Sequence, residues 1–497
     1  MKPHDMGTLF DECTAVRTIV RLDRPFDIAP DRGIDFTVGQ LAGLVRDAAG
    51  WLHEAGVRPG DRVAIAKRNH WDYDLLACAA VRIGAVPAKL SGHLPDDTLD
   101  LLVKRLDAAL LVTDRPSPRA RRVLRIDEFA AAAPPEPHRR HDDEPLVICH
   151  TSGTTGTPKL VVHTTRTIID RLARPEASRW PVIGTRRDDV VGNASSYAHG
   201  RTFCWTASAL CLAPRELVIL STDSAAARMF GRYRPTIIEA LPTAYTRWRQ
   251  LANSPENPFQ RVRRFVSTYD AVHPPVVRTL LNASAHKRPL WMQGWGQSET
   301  GPLAFRFLTR RSAHTTRDLG RPVPGFAKLK VVDPESAEPV APGTAGLLLA
   351  RTRALCVGYV GEQDRWEAKT SGPWWNTGDL GVVSRTGAVT LLDREVDTVP
   401  GLSCLAVEDR IEDRLPSIAE CVLLSAAGRE PIPVVVTDTA LDLERWSAAV
   451  ADLPPMGEPV VLPWDDVPRT GTGKVRRLDL LARLTGTTDT YGSGRWT

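Results

Sequence analysis

His150-Thr-Ser-Gly-Thr-Thr-Gly-Thr-Pro-Lys159 packs small hydroxyl residues, two glycines and one lysine into a single turn. Gly153 and Gly156 let backbone N–H groups approach an anion. The hydroxyls of Thr151, Ser152, Thr154 and Thr155 each offer a hydrogen bond, and Lys159 adds a point charge. The apolar run Leu146-Val-Ile-Cys149 precedes this turn as a buried strand would, and the residues near Thr165 read as a helix. The spacing is not that of the nucleotide P-loop, which needs four residues between its glycines and Lys directly after the second. Clusters of Gly, Ser, Thr and Pro also mark ordinary surface turns. The lysine favours phosphate, because only 10 of the 64 basic residues are lysines, so a Lys here is less expected than an Arg.

Working outward, the same strand-to-helix alternation recurs. Val63–Ala66 reads as a strand, residues 72–83 as an apolar helix and residues 85–88 as a second strand, which is the grammar of parallel βαβ units. Residues 216–220, 236–241 and 264–267 read as further strands, and 225–233 and 243–252 as helices. The expected body is α/β and doubly wound. Residues 131–145 form a polar, Pro-rich connector into the phosphate turn. From about Leu319 the apolar runs shorten and are broken by Gly and Pro, at 327–332, 346–350 and 388–392, predicting a β-rich subdomain. Strands at 419–424 and 431–436 predict a small α+β domain at the end. The division expected is a large domain over 1–393 and a small, mobile one over 394–497.

A chain of 497 residues exceeds what one hydrophobic core organises, and 42% hydrophobic content fills several. The net charge of +5 is small, and the local run from Arg115 to Arg125 reads as a solvated face, so nucleic-acid binding is not supported. Eight cysteines form no C-x-x-C pair and several lie in apolar segments, which predicts buried thiols in a reducing, cytoplasmic setting. No signal peptide and no apolar run of about 20 residues is apparent, so no membrane partner is expected.

Four further segments carry chemistry-bearing residues: Trp291-Met-Gln-Gly-Trp-Gly-Gln-Ser-Glu-Thr-Gly301, Trp375-Asn-Thr-Gly-Asp379, Asp393-Arg394, and Pro468-Arg-Thr-Gly-Thr-Gly-Lys474-Val-Arg-Arg477. With the phosphate turn, their order and number resemble the AMP-forming acyl/aryl-CoA synthetase and adenylation-domain superfamily, from roughly residue 40 to 480. The resemblance implies ATP and Mg²⁺ as cofactors. It implies that Glu299 holds Mg²⁺ on the triphosphate, as suits a hard cation that takes carboxylate and phosphate oxygens, and that Ser298 reaches the α-phosphate. Asp379 would accept from both ribose hydroxyls, a carboxylate offering only acceptors, and Arg394 would meet the ribose at the hinge. Gly294, Trp295, Gly296, Asp270 and Ala271 fall at nucleotide-binding positions. Lys474 would be the mobile catalytic lysine that offsets the charge built when one anion attacks another. Each motif alone could be a turn or a solvated side chain.

Two departures from the family pattern bear on substrate. In Ser267-Thr-Tyr-Asp-Ala-Val272, Tyr269 stands where the family has Gly, so that with Thr268 it shortens the substrate pocket. Ser196-Tyr-Ala-His-Gly200 resembles the pocket motif of aryl-acid ligases, with Tyr197 beside His199 in an aromatic position, where the imidazole meets a small polar substrate or is simply a structural histidine. After the hinge, Pro400 and the segment 401–406 replace the Gly-rich loop that lines the thiol tunnel of CoA ligases, two residues short. The function expected is AMP-forming activation of a small or aromatic oxyanion, carboxylate or nitrite, followed by transfer to a nucleophilic acceptor: an amine, a carrier protein or CoA, with CoA disfavoured. Its sharpest form resembles the superfamily's diazotase branch, in which nitrite and an aromatic amine form an N–N bond. An ordinary aryl/acyl-CoA ligase and a non-catalytic nucleotide sensor are the competing readings.

Overall fold

The computed structural model describes residues 2–116, 119–151, 157–397, 399 and 401–490. Two large sheets face each other. The seven-stranded one runs, in spatial order, Gly358–Tyr359, Leu160–Thr164, Pro145–His150, Val86–Ser91, Arg62–Lys67, Leu110–Thr113 and Val123–Arg125. Its last five strands are parallel, as expected of βαβ units, while Leu160–Thr164 runs against them and pairs antiparallel with both Pro145–His150 and Gly358–Tyr359. The second, fourteen-stranded sheet has a parallel centre built from Ile19–Leu22, Glu216–Ile219, Val190–Ala194, Ile237–Ala240, Arg264–Ser267 and Leu290–Gln297. Helices Val38–Glu54, Asp72–Arg82 and Gly200–Leu212 lie between the sheets. There Val63 and Ile65 of one sheet share a core with Val191, Ile219 and Val266 of the other through Leu41, Phe203 and Leu210. Each such side chain contributes roughly 2 kcal/mol by leaving water.

The helix Val38–Glu54 starts with a reciprocal cap, in which Gln40 N donates to the Thr37 hydroxyl and Thr37 N to the Gln40 side chain. Gly50 inside it has a packing reason. The carbonyl of Ala132, in the connector at 131–145, lies where a Cβ would stand, so the connector is laid against the helix.

Three readings gain detail. A strand, Leu160–Thr164, intervenes between the phosphate turn and the helix near Thr165, because its apolar and β-branched residues pair with Pro145–His150. Pro145–His150 and Leu160–Thr164 thus pair antiparallel on either side of residues 151–159 in the chain, and the expected helix follows from Arg166. The β-rich region beyond Leu319 continues the fourteen-stranded sheet: the hairpin Leu290–Gln297/Gly301–Leu308 switches it from parallel to antiparallel. In the run from Arg115 to Arg125, Arg119, Arg121 and Arg122 are exposed as expected, whereas the Arg115 side chain is 15% exposed and donates to the carbonyls of Gly92 and Leu94 and to Asp96. All eight cysteines are buried. Among the described residues no helix is long and apolar enough to cross a membrane.

The C-terminal part builds a three-stranded sheet, Glu420–Leu424, Ile432–Val436 and Val460–Leu462, flanked by helices Cys404–Arg414, Leu443–Val450 and Arg477–Thr485. Its two apolar clusters contain only residues between 399 and 484. Against the rest of the chain it presents polar contacts. His273 Nδ1 lies 2.8 Å from Asp409 and Nε2 3.4 Å from Glu412, Arg317 lies 3.4 Å from Asp409, and Arg278 pairs with Asp413. Arg249 donates to the carbonyls of Pro416 and Ile418. Burial works against the His273 imidazolium, but the carboxylates of Glu412 and Asp409 outweigh it and push the group up to about 10.

His273→Gln removes the cation that Glu412, fully buried, and Asp409 share, leaving Asp409 with Arg317 alone. The expected loss is about 2 kcal/mol, measured by calorimetric unfolding. Since the folded value of His273 lies above the ordinary 6.5, its contribution is complete below pH 6.5 and lost as pH rises through about 10. Wild type and variant should converge only at the alkaline end.

Candidate active site

The C-terminal ends of the parallel strands, the antiparallel extension and the C-terminal layer meet around a cleft of about 300 Å³. Five of the expected phosphate-binding residues, Ser152, Gly153, Thr154, Thr155 and Gly156, lie outside the described residues. On either side of them, Thr151 N donates to the Lys159 carbonyl at 3.0 Å, and Lys159 N to the Thr151 hydroxyl at 3.0 Å. Thr151 and Lys159 both line the cleft. Burial pushes the Lys159 ammonium down to about 8, against the pull of Glu299.

Glu299 sits at the tip of the Leu290–Gln297/Gly301–Leu308 hairpin. One carboxylate oxygen accepts from the Tyr359 hydroxyl at 2.6 Å, and the backbone carbonyl accepts from Cys356 N at 2.7 Å. The neighbouring Ser298 carbonyl lies 2.7 Å from His163 Nε2. Gly296 is required there, because a Cβ would strike the Gly301 carbonyl where the two strands cross; at Gly294 it would come within 2.9 Å of Phe305. Trp295 Nε1 donates to Asp379 at 3.1 Å. Asp379, on strand Trp374–Val383, is opposite Arg394 in the ladder, with Arg394 Nε 3.7 Å from its carboxylate. Burial raises the Asp379 carboxyl, opposed by Arg394 and Lys474. Asp270 and Ala271 are exposed on the same wall.

Lys474 enters this cleft on a tight turn. Thr470 N donates to the Lys474 carbonyl at 2.8 Å and Gly473 N to the Thr470 carbonyl at 2.9 Å. Gly473 has φ +83°, and a Cβ on it would collide with Thr243; one on Gly471 would come within 2.5 Å of the Ser91 hydroxyl. The turn thus fits closely against the opposite wall. Among the described residues no group of three or more His, Cys, Asp or Glu side chains converges as a metal cage. Glu299 lines the cleft with Lys159 and Ser298 and acts on the Lys159 ammonium, and a lone carboxylate suits a cation that completes its shell with phosphate and water oxygens.

The residues expected in the substrate pocket divide. Tyr269 lines the cleft, whereas Tyr197, His199 and Thr268 lie behind it. Tyr197 is fully buried and its hydroxyl is spent on the carbonyl and side chain of Asn193 at 3.2 and 3.0 Å, so it props the wall instead of meeting substrate. His199 Nδ1 lies 2.9 Å from the Ser196 hydroxyl, while its Nε2 is buried without a partner, as are Thr268 Oγ1 and the Tyr269 hydroxyl. Tyr269 has φ +79°, a left-handed backbone that suits the glycine of the family pattern and strains a tyrosine by roughly 1–2 kcal/mol.

Several participants escaped the sequence reading. Tyr359 and His163 hold the Glu299 hairpin from 60 and 135 residues away in the chain. Lys369 lines the cleft beside Asp379. Lys89, fully buried, pairs with Asp74 and donates to the His199 carbonyl at 3.1 Å. The scarcity of lysine that drew attention to Lys159 applies equally to Lys89 and Lys369, and would have found both.

The chain belongs to the AMP-binding enzyme family, whose model matches residues 17–360. It is similar to the 3-amino-2-hydroxy-4-methoxybenzoate diazotase of Streptomyces cremeus, 37% identical over 97% of this chain and 96% of that one. It is also similar to the 3-aminoavenalumate diazotase of a Streptomyces species, 27% identical over 90% and 89%. Among solved structures, the anthranilate CoA ligase AuaEII in complex with anthranoyl-AMP superposes with a TM-score of 0.79 at 19% identity, covering 98% of each chain, which shows a shared fold. The protein is accordingly an adenylate-forming enzyme related to diazotases and aryl-CoA ligases.

Lys159 supplies a pH signature. An ammonium that loses its proton near pH 8 holds phosphate fully below that value and progressively less above it. ATP affinity, followed by calorimetry, is expected to be flat up to about pH 8 and to fall beyond. Lys159→Arg should remove this break, because guanidinium stays charged.

Proposed function

We propose that this cleft activates nitrite with ATP as an adenylate, releasing pyrophosphate, and transfers the nitroso group to an aromatic amine. Tyr269 carries the reading. Its ring occupies the wall at a position where family members have glycine, and the chain retains it although the backbone there is strained. A shortened pocket excludes most carboxylic acids and admits a three-atom oxyanion. The similarity to two diazotases over nine-tenths or more of the chain supports the same substrate class.

The residues divide the work as follows. Thr151 and the loop Ser152, Gly153, Thr154, Thr155 and Gly156 cradle the phosphates with Lys159, while Asp270, Ala271, Gly294, Trp295 and Gly296 flank the nucleoside. Asp379, oriented by Trp295, takes the ribose hydroxyls together with Arg394. Glu299, fixed by Tyr359, would hold Mg²⁺, which when bound neutralises charge across the triphosphate. Ser298 and Lys474 face the α-phosphate, where Lys474 offsets the charge of an anion attacking an anion. Residues 394–497 act as the lid that brings Lys474 in, and 1–393 as the body.

The acceptor follows from the segment after the hinge. The segment 401–406 was expected to be loop, but helix Cys404–Arg414 already begins at Cys404, capped by Ser403 through Ala406 N at 3.3 Å. Asp393 holds that helix start by accepting from Cys404 N and Leu405 N at 3.2 and 3.1 Å. Only Gly401–Ser403 stays outside the helix, too little to reshape into a thiol tunnel; Pro400 lies outside the described residues. These contacts support an amine acceptor over CoA.

With ATP, pyrophosphate release should require nitrite, and AMP release should be stimulated by an arylamine and not by CoA. Robust acyl-CoA formation, with no response to nitrite and amine, returns the chain to the CoA-ligase reading. Tyr269→Gly should relieve the backbone and raise activity on small carboxylic acids relative to nitrite by about tenfold or more. Lys474→Ala should abolish most pyrophosphate release while ATP still binds, since the lysine acts only with the lid closed. An unchanged turnover number would remove Lys474 from the chemistry.

A further inference from the structure

Among the described residues two adjacent imidazoles near the cleft, His150 and His199, have one nitrogen held and the other spare. Of the two, it is His199 that packs against both Tyr269 and the Gly471 turn. Nδ1 is tied to Ser196 Oγ at 2.9 Å, and the backbone carbonyl is held by Lys89 at 3.1 Å and Thr202 at 3.0 Å. Nε2 is buried with no partner, and buried polar atoms left unpaired in a native fold call for an explanation. The ring stands edge-on to Tyr269, 6.1 Å between centroids. On its other side lies the turn that carries Lys474, placed so that a Cβ on Gly471 would come within 4.0 Å of Cε1, the carbon bonded to Nε2. A side chain of the body and a turn of the C-terminal layer, both belonging to the cleft wall, therefore pack against this ring.

We propose that His199 Nε2 is the base that takes the proton from the amine during nitroso transfer, and that the Gly471 turn keeps it covered until activation is complete. The proposal rests on the nitrite-and-amine reading above. In the step, the amine nitrogen attacks the nitroso nitrogen of the mixed nitrous–adenylic anhydride, forming the N–N bond. The N–O bond to the phosphate oxygen breaks, and its electron pair leaves with AMP. The proton on the new N-nitrosoammonium passes to Nε2, giving an N-nitrosoarylamine, AMP and imidazolium. Atoms and charge balance without any further reagent.

The surroundings suit this task. Burial holds the imidazole well below its ordinary value, and His150 at 4.6 Å between ring centroids, Lys89 and Lys474 all act in the same direction, so the ring is neutral before transfer. A weakly basic imidazole is sufficient, because a nitroso group makes the ammonium it is bonded to strongly acidic. The Gly471 turn withdraws when Lys474 withdraws. Activation thus proceeds with the base shielded, and departure of the same turn opens a way to it.

The test separates the two half-reactions in the full-length protein. His199→Asn keeps a side-chain partner for Ser196 and removes Nε2; His199→Phe restores the aromatic character of the position. Nitrite-dependent pyrophosphate–ATP exchange is expected to stay within about threefold of wild type in both, which also certifies the fold. Amine-dependent formation of the N-nitroso or diazonium product should fall at least a hundredfold. In His199→Gly, added imidazole should restore part of the amine step and leave exchange unchanged. Full amine turnover in either of the first two variants, or parallel loss of exchange and amine turnover in all three, overturns the assignment. Absence of nitrite-dependent exchange in the wild type instead overturns the underlying reading of the substrate.

Discussion

Two hydrogen bonds, from His163 to the Ser298 carbonyl and from Tyr359 to the Glu299 carboxylate, tie the seven-stranded sheet to the fourteen-stranded one at the cleft. Both donors come from the antiparallel edge of the smaller sheet, where Gly358–Tyr359 pairs with Val161 and Val162. That edge also carries Lys159, directly before Leu160–Thr164. One piece of β-structure therefore sets the distance between the Lys159 ammonium and the Glu299 carboxylate. Each bond also satisfies a buried polar group that would otherwise cost about 1–3 kcal/mol. Without this join, the ends of the two sheets would be free to slide over the helix layer that separates them.

Much of the arrangement was legible in the sequence because it is local. Alternating apolar runs placed the strands around Ala64, Val218 and Val266 and the helix after Asp72 within a residue or two of their bounds. The short motifs announced Thr151, Glu299, Asp379 and Lys474, which the fold brings to one cleft. What escaped is non-local. Nothing near Leu160 indicates that its segment pairs backwards with Pro145–His150, since a short apolar run fits strand and helix alike. Nothing near Leu319 says which edge its strands will extend. Tyr359 and His163 act on residues far along the chain, and a lone Tyr or His has no periodicity to betray it. The motif around His199 gave the neighbourhood correctly and the orientation not at all: Tyr197 is turned into the wall by Asn193, a contact no spacing rule encodes.

The two parts of the chain are held to each other by a different kind of force from the one that holds each together. Apolar burial organises the sheets and, separately, the C-terminal layer around Leu423 and Val435. Between them are His273, Arg278, Arg317 and Arg249, paired with carboxylates and carbonyls of the other side. The junction is thus polar, whereas each part keeps its own apolar core. The close fit of Gly471 and Gly473 against Ser91 and Thr243 then gives the docked position its definition.

The left-handed backbone at Tyr269 also shapes how this site can change over generations. At φ +79° a β-branched residue such as Val, Ile or Thr meets a steric penalty regardless of whether its side chain suits the pocket. Residues unbranched at Cβ, such as Phe or His, meet the same cost as the tyrosine already there, and Gly, Asn and Asp meet less. This wall can therefore be exchanged ring for ring or opened through glycine, whereas a branched aliphatic wall is barred by the backbone beneath it.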